Sequence, residues 1–151
     1  MIKVVADDRE RESAVVAALQ GDSDVEFEVR RLPVGDYVVD GKYVFERKTL
    51  RDFAISIFDG RIFRQSSALL CSEFQPVIIL EGGSDQLRDM KVRRSAIQGA
   101  MIHLTVYMGI PILRAIDGTE SAKLLLQVAR QGQNIQSGNA IRFGNRPKGK
   151  R

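Results

Sequence analysis

An α/β domain with a mixed central sheet and helices on both faces is the architecture predicted by this sequence of 151 residues. Three observations predict it. Short apolar runs alternate with segments of helical periodicity, in the order β-α-β-β-β-α-α-β-α-β-α. Asp40-Gly41 separates two strand-like runs, the signature of a tight hairpin. Pro76 introduces "VIILEG", an apolar run suited to a central strand. The meander in the first half should be antiparallel, and the later strands, joined by helices, should run parallel.

Each element has its own local reason. "IKVVA" (2–6) reads as a buried strand, followed by "DDRE" and then by a helix in "RESAVVAALQG" that Gly21 ends. "VEFEVRRL" (25–32) alternates apolar and polar residues as a half-buried strand does, and Pro33 with Gly35 marks a turn. "DYVVD" and "KYVFER" form the hairpin arms. Thr49 caps a helix over "LRDFAISIF", which Asp59-Gly60 breaks. "RIFRQSSALLCSEF" is the next helix, with Cys71 expected as a core thiol. "KVRRSAIQGAMIHLTVYMG" reads as one long helix, with His103 packed in it or at an interface, and "IPILRA" as a strand. "GTESAKLLLQVARQG" is the last helix, capped by Thr119 or Ser121 and stopped by Gly132. Residues 1–132 are therefore expected to form the folded domain and 133–151 a flexible tail or truncated linker.

Hydrophobic residues make up 44% of the chain, enough for a true core, yet no run of 18 apolar residues offers a transmembrane helix. "MIKVVADDRE" lacks the apolar stretch of a signal peptide, and the lone cysteine excludes an internal disulfide framework. An intracellular protein, cytoplasmic or nucleoid-associated, is expected. The last 20 residues hold five of the 23 basic residues and none of the 19 acids, so the formal charge of +4 belongs to the tail. Such a tail either attracts polyanions or serves as a solvated terminus. "EGGSDQL" (81–87) lacks the Lys-Ser/Thr of a phosphate loop, so a plain loop and no nucleotide cofactor are expected. Lys91, Arg93 and Arg94 sit at a helix start, against its dipole; they read as solvated charges, with anion contact the alternative.

The hairpin carries the chemistry. Its tight turn brings Asp36 and Glu46 together at the open end. Strand alternation sends Glu46 and Lys48 to one face and Arg47 to the other. Two close carboxylates repel unless a cation neutralises them, and hard oxygen donors suit Mg²⁺ or Mn²⁺. Such an ion can polarise a phosphodiester and activate water, while Lys48 positions that water or stabilises charge growing on phosphorus. Asp, nine residues, then Glu-x-Lys is the general layout of metal-dependent nucleases with a restriction-endonuclease-like three-layer α/β/α fold. A surface hairpin with ion pairs is the plainer reading of the same residues.

"GDY…ERKTLRD" and "DDRE", with "DGRIFRQ" (59–65) and "RRSAIQGAMIHLTVYMGIPILRA", resemble the nuclease domain of the XPF family of structure-specific endonucleases, its archaeal members above all. The resemblance spans about residues 2–131. It implies that Asp36 and Glu46 bind metal, with the Arg47 backbone carbonyl as an added ligand, and that Lys48 is the catalytic lysine. Asp7 joins the metal site or supports it, and Arg9 and Glu10 complete its motif, Arg9 with a phosphate contact in reach. Arg47 and Asp52 are expected to order the site as a charge pair. Arg61 and Gln65 contact DNA phosphate or pack between helices, and Arg146, Lys148 and Lys150 of the tail are weak DNA-binding candidates.

The implied activity is cleavage of one strand near a duplex/single-strand junction in flap, fork or stalled replication structures. The implied assembly is a homodimer through the nuclease domains, with the apolar helices of 91–131 sharing a face with a twin. The family's usual tandem helix-hairpin-helix module and any upstream helicase have no counterpart between Met1 and Arg151, so a bare nuclease domain is expected, a natural short member or an excised piece. Two rivals stand beside the enzyme: a non-catalytic subunit of the same fold, which would have lost motif acids, and a Holliday-junction or restriction-type nuclease, which would lack the Arg-Lys-x(3)-Asp context.

Overall fold

The computed structural model describes residues 1–138. Six strands form one mixed sheet in the order β2-β1-β3-β4-β5-β6. They are β1 (Ile2–Asp7), β2 (Val25–Arg30), β3 (Tyr37–Val39), β4 (Tyr43–Thr49), β5 (Gln75–Glu81) and β6 (Ile112–Ala115). Five helices cover it: α1 (Ala14–Gln20), α2 (Leu50–Phe58), α3 (Arg61–Cys71), α4 (Arg94–Ile102) and α5 (Gly118–Gln136).

Alternation along the strands builds two cores. Val4, Tyr37, Val39, Phe45, Val77 and Ile79 pack under α1 and α5. Val38, Val44, Ile78 and Leu80 pack under α2, α3 and α4 on the opposite face. The α/β fold with a mixed sheet agrees with the sequence-based expectation. β3 is antiparallel to β1 and β4, and β5 and β6 run parallel to β4, as the connections predict. The expected meander is corrected at β2, which pairs parallel with β1 as an edge strand and does not touch β3. The reason is α1: a helical crossover from β1 returns the chain parallel to it.

Local caps explain most boundaries. The Ser13 hydroxyl accepts from Val16 N–H at the start of α1, and Thr49 accepts from Asp52 N–H at the start of α2. In the hairpin, Asp40 and Gly41 adopt left-handed φ of 53° and 62°, as the centre of a primed turn requires, Lys42 completes the loop between paired Val39 and Tyr43, and the Asp40 carboxylate accepts from Lys3 N–H at 2.9 Å. Four details depart from expectation. Cys71 closes α3 and is exposed, not a core thiol. The long helix begins only at Arg94 and becomes a π-helical turn over His103–Tyr107, where Met108 N–H reaches the His103 carbonyl. Exposed His103 lies edge-on to Phe63 within that turn. The cap of α5 is Asp117, which accepts from Glu120 N–H, rather than Thr119 or Ser121.

The fourth departure is that α5 does not stop at Gly132. A side chain there would strike the Tyr43 hydroxyl at 2.4 Å, so this glycine is a packing site inside the helix and not its end. Beyond it Gln133 donates to Asp40 at 3.0 Å and Lys42 donates to Gln136 at 2.7 Å, holding the last turn to the hairpin. Among the described residues no helix is long and apolar enough to cross a membrane.

Candidate active site

The hairpin registers Tyr37 against Phe45, and one step further places Asp36 opposite Glu46. Gly35 makes this approach possible. It holds a left-handed φ of 76°, and a Cβ on it would lie 2.3 Å from Val44 Cγ2. Asp36 N–H then bonds the Phe45 carbonyl at 2.8 Å, and Arg47 N–H donates to the Asp36 carboxylate at 2.7 Å. Alternation puts Asp7, Asp36, Glu46 and Lys48 on the α2–α4 face of the sheet. Lys48 is 8% exposed, and its Nζ lies 3.9 Å from Glu46 Oε1, near but beyond a hydrogen bond.

These acids differ sharply in how well they are satisfied. Asp7 is fully buried at the end of β1. One of its oxygens accepts from Leu32 N–H at 2.8 Å, and the other from Arg9 N–H at 3.1 Å and Arg9 Nε at 2.6 Å. Burial pushes the Asp7 carboxyl up, but the hydrogen bonds from Arg9 and Leu32 outweigh it and hold the pKa below its ordinary value. Asp36 is the reverse case: burial, then the charge of Glu46, push it up to about 7 against the single bond from Arg47 N–H. Glu46 is raised as well, by burial first, with Lys48 and Arg9 pulling the other way.

Arg47 projects to the other face. Its Nε donates to Glu81 Oε1 at 2.8 Å, its Nη2 donates to Glu81 Oε2 at 2.5 Å, and Nη1 lies 3.6 Å from Glu10 Oε1. Glu81 in turn accepts from the Ser121 hydroxyl at 2.7 Å. The expected Arg47–Asp52 charge pair is therefore corrected: Asp52 is exposed in the first turn of α2, and among the described residues it has no ion pair. Glu81 holds the position assigned to Asp52. In the sequence Glu81 reads as the start of a plain loop, which hides this role. The available signal was an acid closing the buried strand "VIILE".

Neither Arg61 nor Gln65 bonds to this cluster among the described residues. Arg61 pairs with Asp59 at 3.2 Å on the surface. Gln65 has a buried Oε1 without a hydrogen-bond partner among the described residues. Arg146, Lys148 and Lys150 lie outside the described residues. No three His, Cys, Asp or Glu side chains among the described residues converge as a ready-made metal cage. Asp36 and Glu46 nevertheless fit a hard dication. They are two carboxylates whose charged forms burial disfavours, and Mg²⁺ commonly takes one or two carboxylates and keeps water for the rest.

The ERCC4 domain model matches residues 6–128. The 3'-flap repair endonuclease Xpf of Saccharolobus solfataricus is 29% identical over 149 residues, 98% of this chain and 64% of that protein. A protein of Methanocaldococcus jannaschii, whose name describes an ATP-dependent RNA helicase, is 35% identical over 132 residues, 87% of this chain and 16% of its own length. The chain thus spans less than two thirds of either curated relative. The solved structure of XPF from Aeropyrum pernix matches with a TM-score of 0.81 at 32% identity, covering 99% of this chain and 69% of that one. The same protein in complex with DNA matches with a TM-score of 0.79 at 33% identity, covering 89% and 66%.

Proposed function

The chain belongs to the ERCC4 domain family, and from that premise we propose that it is a divalent-metal-dependent DNA endonuclease, acting inside the cell in repair or recombination. Its substrates are flap or fork DNA, cut on one strand near the junction of duplex and single strand. The observation that carries this reading is the placement of Asp36, Glu46 and Lys48 on one face of the sheet, with both acids short of partners.

Asp36 and Glu46, with the Arg47 backbone carbonyl, are the residues to hold Mg²⁺ or Mn²⁺, which supplies Lewis-acid charge for phosphodiester hydrolysis. Lys48 is not consumed by Glu46 at 3.9 Å, so its ammonium is free to donate to a phosphate oxygen or orient the attacking water. Asp7 spends both carboxylate oxygens on holding Arg9 and the Leu32 loop in place, which makes it a support rather than a ligand. The exposed remainder of Arg9 is placed to meet a phosphate. Arg146, Lys148 and Lys150 add non-specific attraction to the backbone.

A homodimer completes the proposal. Ile102, Val106 and Tyr107 are 51%, 70% and 77% exposed on and beside the π-helical turn, an apolar strip suited to a twin. Light scattering on the chain and on Val106→Glu tests it: a dimer that the substitution dissociates supports the assembly, and a monomeric parent removes it.

Labelled flap and fork DNA with Mg²⁺ or Mn²⁺ tests the activity. Cutting is expected to stop in EDTA and to fall about a hundredfold or more in Asp36→Asn or Glu46→Gln. A chain that binds these substrates and never cuts them is instead the non-catalytic subunit of the same fold.

A further inference from the structure

Three depressions on the α2–α4 side share lining residues in succession, from Arg9 at one end to Cys71 at the other, and together outline a groove. The first, of about 510 Å³, is lined by Arg9, Arg31, Leu32 and Pro33. It shares Arg31, Leu32 and Pro33 with a second of about 340 Å³, which adds Arg30, Val34 and Phe74. Pro33, Val34 and Phe74 continue into a third of about 520 Å³ beside Cys71. Each has the size of a small-ligand pocket.

The groove is tied to the candidate active site by Asp7. Its carboxylate holds Leu32 N–H on the groove floor and Arg9 on the groove wall, while its own N–H bonds the Asp36 carbonyl at 2.8 Å. Buried Leu32 anchors the segment, and extended alternation turns Arg31 outward. Arg30 and Arg31 are exposed and form no ion pair among the described residues. The charged side chains lining the end nearest the acids are therefore arginines, Arg9 paired with Asp7 beneath it and Arg31 without an ion pair among the described residues. The far end offers the half-buried ring of Phe74, with Glu73 as the single acid on the wall.

We infer that this groove receives the unpaired strand of the substrate, with Arg9 and Arg31 on successive phosphates and Phe74 stacked on a base. Arginines beside an aromatic platform are what single-stranded nucleic acid requires, and paired bases present no free face to such a ring. The inference rests on the endonuclease reading and adds where the single strand leaves the site.

Anisotropy of a labelled 15-nucleotide oligothymidylate, in EDTA so that nothing is cut, tests it alongside a duplex of equal length. Arg31→Glu is expected to weaken oligothymidylate binding about tenfold or more and to flatten its salt dependence. Phe74→Leu keeps apolar volume and is expected to lose about fivefold or more on the single strand, with the duplex and the salt slope unchanged. Glu73→Lys, an exposed change that spares the core, is expected to tighten single-strand binding about threefold or more. Parent-like affinity in Arg31→Glu and Glu73→Lys, or no oligothymidylate binding by the parent chain, overturns the groove. Flap cutting by the parent is scored separately. A chain that cuts while its groove variants bind normally keeps the endonuclease reading and loses the groove. A chain that never cuts but shows these shifts keeps the groove alone.

Discussion

The two faces of β4 treat charge in opposite ways. On the α1/α5 face, Arg47 meets Glu81 in two hydrogen bonds and Glu10 at 3.6 Å, and Ser121 completes the Glu81 carboxylate. On the α2–α4 face, one residue away in each direction, Glu46 and Lys48 stand 3.9 Å apart, and Asp36 is pushed up to about 7 by burial and by Glu46. A satisfied network stiffens a structure, whereas largely buried charges with few partners cost stability and are common at functional sites. On the proposed endonuclease reading, the first face holds the strand and the second does the chemistry.

Breaking each face separately sharpens that assignment. The largest expected effect is on activity: Lys48→Met should lower the rate of flap cutting about a hundredfold or more while urea unfolding shifts by less than about 1 kcal/mol, since an apolar chain suits a site that is 8% exposed. A folded variant that cuts normally would remove Lys48 from the chemistry. Next comes stability. Glu81→Gln leaves the half-buried Arg47 guanidinium with Glu10 as its remaining carboxylate and should cost about 1 kcal/mol or more in urea unfolding, because weakening one half of a largely buried pair leaves its charge less compensated. Arg47→Met with Glu81→Gln should recover part of that loss.

The third effect is on metal binding. Asp36 must lose its proton to hold a dication, so affinity measured by calorimetry should fall about tenfold per pH unit below about 7 and level off above it. The metal-free fold shows the mirror image. An acid raised in the folded state loses stability as pH climbs from its unfolded value through about 7, so Asp36→Asn in EDTA should melt higher than the parent at pH 8 and equal to it near pH 4. Asp7 has the opposite sign: its lowered carboxyl stabilises the fold above its unfolded value and is lost only at acid pH. The smallest effect belongs to Asp52→Ala. Its exposed side chain has no ion pair among the described residues, so stability should move by less than about 0.5 kcal/mol. A loss comparable to that of Glu81→Gln would restore the charge pair the motif suggested.

The amino-acid order by itself determined what depends on neighbours along the chain. Period-2 alternation sends Glu46 and Lys48 one way and Arg47 the other, Asp40-Gly41 makes the turn that sets Asp36 against Glu46, and Thr49 caps α2 through its own hydroxyl. Only the tertiary structure decided what distant segments do to one another. It placed β2 outside β1, gave Arg47 to Glu81 across 34 positions, tied Leu32 to Asp7 across 25, and carried α5 past Gly132 because Tyr43 fills the space a side chain would take. The physical reason is that backbone geometry and capping act over a few residues, while the partner of a buried charge is chosen by whichever group packing brings within hydrogen-bond reach.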